Sequence, residues 1–152
     1  MNDTPLYFED YQAGSVRELG SLVVDEAEVI AFAKRYDPQP FHTDPEAARH
    51  SAFGGLIASG WHTTAMVMRL LVDHYLSPTT SLGSPGVDEL RWLRPVRPGD
   101  VLSVRATVLE TKRSSTKPDR GLIRTQLEAI NQQGEVVMSL TPMSFVRCRP
   151  AQ

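Results

Sequence analysis

The chain has 152 residues, 41% hydrophobic and 22% charged, which suits a single soluble α+β domain spanning 1–152 with a substantial buried core. Its formal charge of −2 leaves no positive surplus to neutralise phosphates and argues against a general nucleic-acid binder. The single Cys148 excludes an internal disulfide and fits a reducing, cytoplasmic setting.

Met1-Asn2-Asp3-Thr4-Pro5 has no basic region followed by an apolar run, so no secretory leader is expected. Ser15 to Val24 reads as a first strand. Asp25-Glu26-Ala27-Glu28 carries a capping-box pattern, and Val29, Ile30, Phe32 and Ala33 follow at helical spacing to Arg35 or Tyr36. The next segment is Asp37-Pro38-Gln39-Pro40-Phe41-His42. Its two prolines fix or restrict the local backbone, which predicts a stiff, non-helical turn presenting a carboxylate and an imidazole. That pair suits general acid/base chemistry; taken alone, the segment reads first as an Asx-type turn with a surface histidine. Asp44-Pro45 then opens another short helix, through Ala48.

A glycine-rich stretch, Gly54 to Gly60, leads into the longest apolar segment, a helix from about Ser59 or Trp61 to Tyr75. Ala65, Met66, Val67, Met68, Leu70, Leu71 and Val72 surround most of its axis, which predicts burial nearly all round. His62, Arg69, Asp73 and His74 interrupt the stretch and exclude a membrane span. From Val87 the period changes to two. Leu90 and Trp92 share a face, then Leu102, Val104, Ala106 and Val108, then Ile123 to Ala129, then Val136, Met138 and Leu140. Arg97-Pro98-Gly99-Asp100, the polar loop Lys112 to Gly121, and Asn131-Gln132-Gln133-Gly134 separate these strands. One buried helix followed by four strands predicts an antiparallel sheet wrapped around that helix.

Asp37, Pro40 and His42 fit the frame D-x-N-P-x-H, with Gln39 where asparagine is commoner, and Gly54 to Gly60 matches a glycine-rich helix entry. With these two elements in this order, the chain resembles the MaoC-like family of hotdog-fold acyl-CoA hydratases and dehydratases over about Phe8 to Val146. The resemblance implies a homodimer acting on an acyl-CoA thioester, with coenzyme A as part of the substrate and no separate cofactor, metal or membrane partner. It implies that Asp37 and His42 hold a catalytic water, that one of them returns a proton to the same face, and that the product is an (R)-3-hydroxyacyl thioester. Which of the two is base and which is acid stays open.

Hydration of a conjugated enoyl thioester also needs donors for the enolate oxygen. First-turn N–H groups of a helix are unpaired and carry the positive end of the dipole, so Gly60 is the expected oxyanion donor. Gly54 and Gly55 are read as packing glycines. Gln39, Phe41, Ser59 and Trp61 are expected around the substrate, as is Tyr36, and the resemblance implies a hydroxyl on the long helix supporting Asp37, for which Thr63 or Thr64 is the candidate. Lys112 and Arg113, in the densest basic run, suit coenzyme A phosphates, although a solvated hairpin loop reads them as well. His50, His62 and His74 lack ligand spacing, and no serine-hydrolase elbow or phosphate-binding glycine loop is present. The rivals are a hotdog thioesterase and a non-catalytic acyl-thioester-binding subunit.

Overall fold

A computed structural model describes residues 4–151, so the reading of Met1 to Asp3 lies outside the described residues. The elements run β1 (Val16–Val23), α1 (Glu26–Tyr36), α2 (Pro40–Thr43), α3 (Pro45–Arg49), α4 (Gly60–His74), β2 (Val87–Trp92), β3 (Val101–Arg113), β4 (Arg120–Ile130) and β5 (Val136–Arg147). The five strands form one antiparallel sheet in the order β1-β3-β4-β5-β2, and α4 packs on it. This is the expected α+β hotdog arrangement.

Alternation along β3 buries Leu102, Val104, Ala106 and Val108 at 1% exposure or less, because successive side chains point to opposite faces. Met66, Val67, Leu70 and Leu71 of α4 meet these residues, Leu127 and Met138 in one core. The α4 helix is not buried all round: Trp61, Met68 and Val72 are 59%, 47% and 39% exposed. A single sheet covers one side of a helix only, so an apolar circumference leaves an uncovered face.

Local signals explain the segments around the site. Asp25 caps α1 by accepting from the Glu28 N–H at 3.0 Å. The reciprocal half of the expected capping box is missing, because the Glu28 carboxylate turns to His62 Nε2, 3.1 Å away. The Asp37–His42 segment also departs from its expected non-helical course, since Pro40–Thr43 makes one helical turn. Gln39, held extended before Pro40, begins that turn, and proline at the first helical position lacks only an N–H that would have had no partner. Asp44, extended before Pro45, ends it and caps α3 through the Glu46 and Ala47 N–H groups. Pro98-Gly99 closes a tight turn into β3, with Gly99 at φ 90° and Asp100 N–H donating to the Arg97 carbonyl.

Candidate active site

Asp37 follows the last turn of α1, and its own N–H donates back to the Ala33 carbonyl at 2.8 Å. Three side chains converge on its carboxylate. Gln39 Nε2 donates to Oδ1 at 2.7 Å, Ser59 Oγ donates to Oδ2 at 2.7 Å, and His42 Nε2 lies 3.3 Å from Oδ2. Burial pushes the carboxyl up, and the hydrogen bonds from Gln39 and Ser59 outweigh it, joined by the charge of the adjacent imidazole when that ring is protonated. Asp37 is therefore held below its ordinary value and is ionised at neutral pH.

His42 is 5% exposed, and its ring edge packs against Phe41. The Ile57 carbonyl accepts from Nδ1 at 2.8 Å. A carbonyl only accepts, so Nδ1 carries a proton, and in the neutral ring Nε2 presents its lone pair beside Asp37. In that form two acceptors lie 3.3 Å apart, an arrangement complementary to a molecule that donates to both.

Ser59 is fully buried at the N-cap of α4, yet makes no capping hydrogen bond, because its hydroxyl serves Asp37. The first N–H groups of α4, from Gly60 and Trp61, have no intrahelical carbonyl to bind and keep the positive end of the helix dipole. A cleft of about 310 Å³ joins these parts, lined by His42, Gly60, Phe41, Thr63, Trp92 and Val96 among others. Asp37 is not among the lining residues and touches the cleft through His42.

The family model described as MaoC like domain matches residues 10–130. The chain belongs to the MaoC-like domain family. A MaoC-like dehydratase from Rhodospirillum rubrum superposes with a TM-score of 0.88 at 46% identity, covering 96% of this chain and 99% of that one. The R-hydratase PhaJ1 from Pseudomonas aeruginosa gives 0.72 at 25% identity, covering 97% and 93%. A mesaconyl-CoA hydratase from Cereibacter sphaeroides is 41% identical over 64 residues, 42% of this chain and 18% of that protein, so the chain spans less than a fifth of it.

Within this MaoC-like domain the other residues singled out from sequence fall at different distances from the cleft. Phe41 lines it. Gln39 and Ser59 serve as donors to the Asp37 carboxylate. The hydroxyl expected from Thr63 or Thr64 is thus supplied by Ser59: Thr63 Oγ1 donates to the Ser59 carbonyl at 3.4 Å and Thr64 Oγ1 to the Gly60 carbonyl at 2.8 Å. Tyr36 is 66% exposed and does not line the cleft. Trp61 lies outside the lining too, edge-on to Trp92 with ring centroids 5.0 Å apart.

Gly60 does line the cleft, but the space above it is filled. A Cβ there would overlap the Trp92 indole, so this glycine is required by a packed aromatic ring. Gly54 needs its glycine for a positive φ of 67°, whereas a Cβ on Gly55 would come within 3.2 Å of the Arg97 guanidinium.

Lys112 and Arg113 are not brought to the cleft within the chain. They sit at the end of β3, whose 13 residues span roughly 40 Å. The cleft lies at the other end, beside Val96 and the turn into Val101. Arg113 pairs with Glu9 at 3.0 Å, and both cations line a separate recess of about 180 Å³. The cation on the cleft lining is Arg94, which strand periodicity does not mark; its only sequence signal is the position between Trp92 and the Pro95-Val96-Arg97-Pro98 run.

Proposed function

We propose that this MaoC-like domain is a hydratase/dehydratase interconverting a trans-2-enoyl-CoA and an (R)-3-hydroxyacyl-CoA. One observation carries the reading: His42, whose Nε2 lies 3.3 Å from the ionised Asp37, lines a cleft that also reaches the uncapped start of α4. The R-hydratase and mesaconyl-CoA hydratase among its relatives support the reaction class and the thioester substrate.

In the hydration direction a water donates one hydrogen to His42 Nε2 and the other to Asp37 Oδ2. His42 takes its proton as the oxygen adds to C3, and the C2=C3 electrons move into the thioester to form an enolate. The N–H of Gly60 meets the enolate oxygen in the first turn of α4, and the imidazolium returns the proton to C2 from the same face. Asp37, kept ionised by Gln39 and Ser59, orients the water and stabilises the imidazolium. His42 is thus base and then acid, which the proton on Nδ1 and its place in the lining favour.

The cation proposed at the coenzyme A end is Arg94, in place of Lys112 and Arg113. The protein is proposed to be a homodimer. In its support, β2 is an edge strand flanked by exposed Val87, Trp92 and Leu93, an apolar edge that a second copy would cover.

The test follows the enoyl absorbance of crotonyl-CoA on adding purified protein, with free thiol assayed in parallel. Loss of the band without thiol release is expected, and Asp37→Ala or His42→Ala should nearly abolish it. Thiol release would move the assignment to a thioesterase, and silence in both channels on short and medium enoyl-CoA would leave a binding protein.

A further inference from the structure

A second cavity, of about 230 Å³ and mostly apolar, lies further along α4. Thr64, Val67, Met68 and Leu71 of α4 line it, with Leu127 and Leu140 of the sheet opposite. The α4 residues of the two hollows are Gly60 and Thr63 for the catalytic cleft, then Thr64, Val67, Met68 and Leu71 for the second. Steps of three and four keep all of these on one helix face, so the hollows follow a single stripe. From Gly60 to Leu71 that stripe runs roughly 16 Å.

Trp92 interrupts it. The indole packs over Gly60 so closely that no Cβ fits between them, and it lines the catalytic cleft. Its Nε1–H donates at 3.3 Å to the Thr64 hydroxyl, which lines the second cavity. Thr64 in turn donates to the Gly60 carbonyl at 2.8 Å, so the latch is anchored to the helix start itself. Within one chain the Trp92 residue is 45% exposed, and its ring meets Trp61 edge-on at 5.0 Å.

We propose that Trp92, latched to Thr64, is the acyl-length gate of the site, and that the cavity at Val67, Met68 and Leu71 takes the distal part of medium-chain acyl groups when it opens. This rests on the hydratase reading, in which the thioester carbonyl lies at Gly60. Short acyl groups then end at the indole, and longer ones must displace it. Removing the ring joins the two hollows. Removing only the Thr64 hydroxyl frees the ring but leaves it in place, so its effect has the same direction and a smaller size.

The experiment compares kcat/KM on crotonyl-CoA and trans-2-octenoyl-CoA for wild type, Trp92→Ala and Thr64→Val. The octenoyl-to-crotonyl ratio is expected to rise at least about tenfold in Trp92→Ala and about threefold in Thr64→Val. Calorimetric binding of butyryl-CoA and octanoyl-CoA to the same three proteins separates this proposal from the reaction. If no hydration occurs, the hydratase reading fails, yet the affinity ratio still tests the gate. An unchanged ratio in Trp92→Ala overturns the gate. Should that variant not fold, an unchanged ratio in Thr64→Val overturns it equally.

Discussion

Ser59 Oγ donates to Asp37 Oδ2 at 2.7 Å, joining the start of α4 to the end of α1 across 22 positions of sequence. The hydroxyl does two things at once. It helps keep the carboxylate ionised, and by turning away from its own helix it leaves the first N–H groups of α4 without a cap.

Ser59→Ala removes that donor with little change in shape. Hydrogen bonds to charged groups contribute about 1.5–3 kcal/mol, so kcat/KM should fall about ten- to hundredfold. Because a group that lowers the Asp37 value is lost, the carboxyl should titrate at higher pH than in wild type. Carbonyl-region NMR of the Asp37 side chain across pH reads this shift. A titration identical to wild type would make the bond merely structural.

The depressed carboxyl also has a consequence for stability. A group whose folded value lies below its unfolded value, about 3.9 for Asp, stabilises the fold above that pH, and the contribution is lost as pH falls through the folded value. Asp37→Asn should therefore lower the urea midpoint at pH 7 and lose less of it than wild type between about pH 4 and pH 2. Parallel stability-against-pH curves for the two proteins would refute the assignment.

The strands and the capping residues were legible from local pattern. Leu102, Val104, Ala106 and Val108 need only alternation to be placed inward, and Asp25 and Asp44 cap helices through neighbours two or three positions away. Asp37 and His42 were legible as a pair because the prolines confine them to one short segment. Ser59 on Asp37, the Ile57 carbonyl on His42 and Trp92 over Gly60 each join separate elements, and no local periodicity encodes such a meeting. A basic run likewise shows charge, whereas its position relative to the cleft follows from the length and register of β3 and β4. The uncovered face of α4 likewise follows from how much of the helix one sheet can reach, not from hydrophobicity.

Gly60→Ala tests whether that glycine answers to Trp92. The new Cβ overlaps the indole, so the variant should lose about 1–3 kcal/mol of stability, the usual cost of overpacking. Trp92→Ala in the same chain removes the clash, and the double variant should be more stable than the sum of the two single changes predicts. Strict additivity in denaturant melts would mean that the glycine is needed for something other than the ring.

The two candidate sites for the coenzyme A phosphates make opposite forecasts. Arg94 lies on the cleft lining, is 58% exposed, and its guanidinium is held by Glu135 at 3.0 Å, which leaves other donors for an anion. Lys112 lies at the far end of β3, in a separate recess. A cation that binds a remote phosphate contributes equally to the ground and transition states, so its loss should raise KM and spare kcat. Arg94→Gln should raise KM for crotonyl-CoA about threefold or more, while Lys112→Gln leaves it within about twofold. The same pair assayed with a pantetheine thioester, which lacks the nucleotide phosphates, should be indistinguishable from wild type. If Lys112→Gln instead raises KM and Arg94→Gln does not, the phosphates lie at the β3–β4 hairpin loop, which only the loop of a second copy could bring to this cleft.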